Sequence, residues 1–368
     1  MRGMIRPARA STIAGVSPLL AIEWAPDAPR FPLLGGASPL HPLERFTDAL
    51  RAGGRGDVPD IWIKREDLLP LAFGGNKLRN LEFHVGAALA RGADTLVTSG
   101  RRWSNHCRLT AAAGARAGLA VELVLSGPPA SAPGPNERLD ELLGATVHVT
   151  ATADRAEREA TVAAIVERLA GEGRRPYLVP VGGSGAVGVI GQALAGLELA
   201  SQLRALGREA DSVVLPTATG GTQAGILVGL RLAGLTTRVL GMAVASPAAE
   251  LSPTVSRLSR EVAELADPAG AGGAFARRDW AAEVEIDDGA LGDGYGRRSA
   301  AAEEAARLLA RTEGILVDPI YTAKGLAGLV AAVRDGRLAD QRFTVFWHAG
   351  GTPGIFERLP GDDQPTPV

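Results

Sequence analysis

The chain has 368 residues, 46% of them apolar and 22% charged, with a formal net charge of −2. That length gives room for two domains and a large core, and the near-balanced charge argues against a nucleic-acid partner. A single cysteine, Cys107, excludes an intrachain disulfide and offers no metal cluster, and the five histidines are scattered without ligand spacing.

Residues 1–28 carry arginines and then a weakly apolar stretch interrupted by Pro18 and Glu23. They read as an N-terminal extension and not as a signal peptide. No apolar run reaches membrane-spanning length, so the expectation is a cytoplasmic protein with no membrane partner.

Next comes AFGGNKLRN, residues 72–80, where Lys77 heads a helical pattern carried by Leu78, Leu81, Val85 and Leu89. A helix start favours negative charge. A cation there either points to solvent, or holds its amine near other positive groups as a neutral nucleophile.

Strand-like runs follow at 94–99, 120–126, 146–150, 176–181, 212–217, 238–245 and 343–348, with helical patterns between them. Several of those helices stop at a glycine: Gly92, Gly118, Gly144, Gly207 and Gly234. This alternation predicts an α/β fold with parallel sheets flanked by helices. Glycine-rich breaks at 127–137 and 181–191 read as a loop within a domain and a crossing between domains. Residues 266–279 read as a long surface loop.

Ligands of open parallel sheets gather at the carboxyl ends of strands. Three loops lie there. TATGGTQAG (217–225) has Thr219, Gly220, Gly221 and Thr222 at the start of a helix. It is either an anion cradle, with phosphate its commonest occupant, or an ordinary strand-to-helix turn. GRRWSNHCRLT (100–110) places Ser104 and Asn105 where helix capping alone explains them. HAGGTPGIF (348–356) reads alone as a plain turn. With Lys77 the loops suggest one site. An amine that forms an imine and a cradle that holds a phosphate on the same molecule together point to pyridoxal 5'-phosphate. Burial and nearby positive potential would then lower the pKa of Lys77 and free its amine.

IKREDLLPLAFGGNKLRNLEF, SNH, TGGTQAG, GYG, LLARTEGILVDPIYT and HAGGTPGIF occur in an order that resembles the D-cysteine desulfhydrase and 1-aminocyclopropane-1-carboxylate (ACC) deaminase family, from about residue 31 to 357. The resemblance implies a two-domain, tryptophan synthase β-like fold (fold type II) that binds pyridoxal phosphate. Residues 29–78 and 186–358 would form the large domain, 79–185 the small one, and 359–368 a tail. It implies Lys77 as the Schiff-base lysine and the base at Cα, and Asn105 on the ring hydroxyl. Ser104 would hold the substrate carboxylate or help with proton transfer. His106 and Trp103 would complete the substrate wall. Thr219, Gly220, Gly221 and Thr222 would hold the phosphate, Tyr295 and Tyr321 would be active-site tyrosines, and Thr352 would face the pyridine nitrogen. It also implies a homodimer acting on a small amino-acid substrate.

Within the family, ACC deaminases resemble YEG after the second tyrosine, where the glutamate meets the ring nitrogen. Here Thr322 stands instead. A hydroxyl makes a shallower electron sink than a carboxylate does, which suits loss of a β-leaving group. The expectation is a D-cysteine desulfhydrase-like lyase giving a 2-oxo acid and ammonia. ACC deaminase activity, L-cysteate sulfo-lyase activity, and β- or γ-replacement on an unusual acidic substrate are the alternatives. Arg101, Arg102, Trp103, Arg297, Arg298 and Ala349 depart from the family's usual residues. The four arginines either serve an extra acidic group on the substrate or point to solvent.

Overall fold

The computed structural model of the chain describes residues 28–53, 57–127, 132–151, 154–265 and 275–359. The N-terminal extension, most of the 266–279 loop and nearly all of the tail lie outside these.

Two sheets organise the described residues. The larger runs β1 (Leu40–Pro42), β2 (Asp60–Arg65), β10 (Phe343–His348), β7 (Ser212–Thr217), β8 (Arg238–Ala243), β9 (Glu285–Asp287). Only β1 is antiparallel to its neighbour. The smaller is wholly parallel, in the order β5 (Thr146–Thr150), β4 (Ala120–Ser126), β3 (Thr95–Arg101), β6 (Pro176–Leu178). The helices are α1 (Glu44–Gly53), α2 (Lys77–Ala90), α3 (Asn105–Ala117), α4 (Pro135–Leu142), α5 (Arg155–Gly171), α6 (Ala186–Ala205), α7 (Gly221–Leu232), α8 (Ala248–Leu265), α9 (Trp280–Glu283), α10 (Ala300–Glu313) and α11 (Thr322–Arg334). Every residue of β7 and β10 is buried, as strands covered on both faces require.

The runs at 120–126, 146–150, 212–217 and 343–348 form strands over those bounds. The run at 176–181 stops at Leu178, because a short 3-10 turn, Val181–Gly183, bends the chain through Gly182 at φ +70°. The pattern-based reading lacks β1, β2 and β9. Two of these are three residues long, and β2 hides behind the charges of Lys64 and Arg65.

Contrary to the sequence expectation, α6 is long and apolar enough to cross a bilayer, with a mean hydropathy of 1.3 over its best window. Here 72% of that window is buried. Its glycines let neighbouring helices come backbone to backbone: a Cβ on Gly196 would stand 2.7 Å from Ile226 O in α7. It is a core helix. It is also tied by charge to α2, where Arg79 donates from Nε to Glu66 at 2.6 Å and from Nη1 to Glu198 at 3.0 Å. Lys64 pairs with the same Glu198. Arg79 and Glu66 are almost fully buried, so this cluster fixes α2 against α6 and β2. Coulombic attraction from Arg79 and then Lys64 outweighs the burial of Glu198 and depresses its pKa to about 2.

Candidate active site

Lys77 is the first residue of α2, whose residues from Leu78 to Ala88 are all buried. The loop before it is bent at Ala72 (φ +44°), Phe73 (φ +65°), Gly74 (φ +63°) and Gly75 (φ +127°). Two of these are not glycine, so surrounding contacts must hold them. Arg108 of α3, fully buried, donates to Ala72 O and to Gly74 O. Gly75 N donates to Glu66 O and Asn76 N to Ala349 O, each at 2.9 Å. At Gly74 a Cβ would stand 2.7 Å from Leu69 O, so glycine is required.

The chain has three lysines: Lys64, Lys77 and Lys324. Lys64 is spent on Glu198. Lys324 donates to Leu291 O at 2.8 Å and Gly294 O at 2.7 Å. Lys77 faces a cavity of about 390 Å³ and has no carboxylate partner among the described residues. Burial lowers its pKa to about 8. The positive potential expected beside it is not among the causes; loss of hydration suffices.

The Thr219–Thr222 turn lies on the same cavity. Thr219, Gly220 and Thr222 line it; Gly221 opens α7 beside them. Gly220 caps α7 at φ +80°, and a Cβ there would stand 3.0 Å from Val255. The first N–H groups of any helix lack internal acceptors, so this terminus offers donors and positive potential. Ser184 Oγ and Thr219 Oγ1 are 2.6 Å apart, which ties the Val181–Gly183 turn to the cradle. Thr222 Oγ1 accepts from Asn76 Nδ2, so its own proton is free to donate.

Ser104, Asn105 and His106 also line the cavity. Ser104 caps α3, accepting from Cys107 N at 3.2 Å, so capping and a site position coincide. Asn105 Oδ1 accepts from Arg108. Thr98 Oγ1 gives its proton to Val179 O at 2.8 Å, so at its 2.9 Å contact with His106 the ring Nε2 must donate. That leaves Nδ1 a buried acceptor with no partner. Burial first, and the charge of Lys77 second, hold His106 neutral.

The hydroxyls of Tyr295 and Tyr321 bond one another on the cavity wall, with ring centroids 5.7 Å apart. Burial raises both pKa values. Thr322 is on the wall and donates to Gly350 O at 2.9 Å. Asp318 is the one carboxylate lining the cavity among the described residues. Its oxygens accept from the backbone N–H groups of Ile320, Tyr321 and Thr322.

Some sequence-derived residues stand elsewhere. Thr352 heads the short turn Thr352–Phe356 and is not on the cavity wall; Thr322, Ala349 and Gly350 are. Trp103 packs behind Tyr295, centroids 6.2 Å apart, and does not line the cavity. Of the four arginines only Arg101 reaches it. Arg102 pairs with Glu137 at 2.7 Å, and Arg298 donates to Glu357 O at 3.3 Å. Arg155 and Arg158 of α5 line the cavity unanticipated by the sequence reading. A signal existed: Arg158 occupies the buried stripe of α5 with Val162, Ile165 and Leu169.

Residues 32–350 match the family described as pyridoxal-phosphate dependent enzyme. The chain is 36% identical over 338 residues to D-cysteine desulfhydrases of Salmonella paratyphi B and Salmonella newport, spanning 90% of this chain and 97% of each relative. Among solved structures it is similar to an ACC deaminase homologue, with a TM-score of 0.79 and 33% identity over 92% of this chain and 95% of that one. An L-serine ammonia-lyase from Rhizomucor miehei shares the fold, with a TM-score of 0.62 and 17% identity over 86% and 93% of the two chains.

Proposed function

The chain belongs to the pyridoxal-phosphate dependent enzyme family, and from that membership we propose that it catalyses α,β-elimination on a small amino acid, in the manner of D-cysteine desulfhydrase. The residues present fit the cofactor. Lys77 supplies an amine that loses its proton near neutral pH. The Thr219–Thr222 turn supplies donors for a phosphate. When bound, pyridoxal phosphate supplies an electron sink for the pair left at the substrate Cα.

In this reading the α3 N-terminus, with Ser104 and Asn105, holds the substrate carboxylate. Lys77 removes the Cα proton. The Cβ–sulfur bond, or its equivalent, breaks with its electron pair leaving on the β-substituent. Tyr295 and Tyr321, both held protonated, stand on the wall as donors to that group. The resulting enamine acid takes up water, releasing a 2-oxo acid and ammonium.

The observation that carries the reading is Thr322. It is a neutral hydroxyl already donating to Gly350 O, and the cavity's one carboxylate, Asp318, is engaged by three backbone N–H groups. Such a wall keeps the electron sink shallow, and a shallow sink favours prompt loss of a β-leaving group over ring opening. The test is 2-oxo acid release from D-cysteine, L-cysteine, L-cysteate, β-chloro-D-alanine and ACC. Release from at least one β-substituted amino acid, and none from ACC, is expected; release from ACC alone would overturn the assignment. We further propose the 79–185 small domain and a homodimer from the family resemblance, and a cytoplasmic location from the reading of the N-terminal sequence; light scattering and cell fractionation test the last two.

A further inference from the structure

Arg158 lies on the cavity and is 9% exposed, in the stripe that otherwise packs α5 on the smaller sheet. Its Nη1 donates to Ser126 Oγ at 3.0 Å, at the carboxyl end of β4. Its Nε is buried with no partner. Among the described residues no carboxylate stands within ion-pair distance of Arg158, nor of Arg101, the last residue of β3 and half-buried on the same wall. Arg155, one turn earlier on α5, is exposed at the cavity mouth and pairs with Glu159.

A guanidinium that is buried with neither counter-charge nor full hydrogen bonding loses hydration that nothing in the protein replaces. Arg158 is such a group, and the half-buried Arg101 beside it adds a like charge: burial, then the charge of Arg101, lowers the pKa of Arg158. Its side-chain bond, to Ser126, leaves the guanidinium charge without a counter-ion within ion-pair distance among the described residues. An anionic ligand would offset it. Arg101 is close enough to Tyr295 for its charge to act on that hydroxyl, on the tyrosine side of the cavity.

We propose that Arg101 and Arg158 form a second anion subsite for a substrate whose side chain ends in an acidic group: a sulfonate, phosphate or carboxylate. Arg155 stands at its entrance. The inference rests on the reading that this cavity holds the amino-acid substrate. The α3 N-terminus takes the α-carboxylate, and the arginines take the side-chain anion, whose two or more oxygens match the guanidinium fork.

The test is an equilibrium titration of the cofactor-loaded protein, followed by its visible absorption, with cysteate, O-phosphoserine and alanine of each hand. For one hand, cysteate or O-phosphoserine binds at least about ten-fold tighter than alanine of that hand. Arg158→Gln removes most of that preference, and Arg158→Lys restores part of it. An acidic ligand that binds no tighter than alanine, or a preference that Arg158→Gln leaves unchanged, overturns the subsite. If Arg158→Gln does not fold, Arg101→Gln carries the same expectation at a half-buried position. Because the absorption change is read on mixing, before 2-oxo acid accumulates, a protein that eliminates nothing sinks the reaction assignment separately from the subsite.

Discussion

Asn76 Nδ2 donates to Thr222 Oγ1 at 2.8 Å, joining the residue before Lys77 to the first turn of α7. One side chain thus fixes the spacing between the Lys77 amine and the Thr219–Thr222 turn. Asn76 O is itself held by Gln192 of α6 at 2.7 Å. Asn76→Ala should lower stability by about 1 kcal/mol, the net value of a typical hydrogen bond, and weaken cofactor binding by several-fold. Thermal unfolding and a cofactor titration measure the two. Unchanged affinity would mean that the link does not set the site's geometry.

Gly220 supplies the other half of the cradle. At φ +80°, with Val255 standing 3.0 Å from where a Cβ would go, Gly220→Ala should cost more than about 1 kcal/mol. It should also reduce cofactor affinity, because the turned N–H groups would shift. Affinity equal to that of the unsubstituted protein contradicts this role.

Lys77 links the site to pH. Its folded pKa of about 8 lies below the ordinary value of 10.5. Between these values the unfolded chain binds more protons than the folded one, so stability rises with pH. Urea denaturation of the cofactor-free protein should show that rise between about pH 8 and 10.5, and Lys77→Met should flatten it. An identical slope in both proteins would show that Lys77 is not desolvated.

Arg79 binds two buried carboxylates, Glu66 and Glu198. Arg79→Met leaves both uncompensated and should cost about 3–5 kcal/mol. The pKa of Glu198 is depressed from 4.5 to about 2, so the cluster's contribution is present above pH 4.5 and lost as pH falls through that window. Denaturation at neutral pH and at acid pH measures both effects. A loss below about 1 kcal/mol at neutral pH would show that water relieves the cluster.

The parallel sheets were legible because β4, β5, β7 and β10 are apolar runs bounded by turns. Strands β1 and β9 were not, since three residues carry no periodicity. That Lys77 and the Thr219–Thr222 turn share one cavity was legible because glycine, threonine and lysine occur at turns that need them. Which of the arginines reaches the cavity was not legible, for a physical reason. Arg101 lines it. Successive side chains at a strand end point in opposite directions, and Arg102 beside it meets Glu137. Arg158, far away in sequence, arrives because α5 folds its buried stripe over the ends of β3 and β4. Thr352 was read as the partner of the ring, but the tight turn through Gly350 and Gly351, both at positive φ, leaves Ala349 and Gly350 on the wall instead.

The central claim is that the Lys77 amine, alone among the three lysines, is the one that carries the cofactor. Borohydride reduction of the cofactor-loaded protein, followed by digestion and mass mapping, tests it most directly. The predicted result is a pyridoxyl adduct on the peptide containing Lys77 and loss of that adduct in Lys77→Ala. An adduct on Lys64 or Lys324, or no adduct anywhere, contradicts the account.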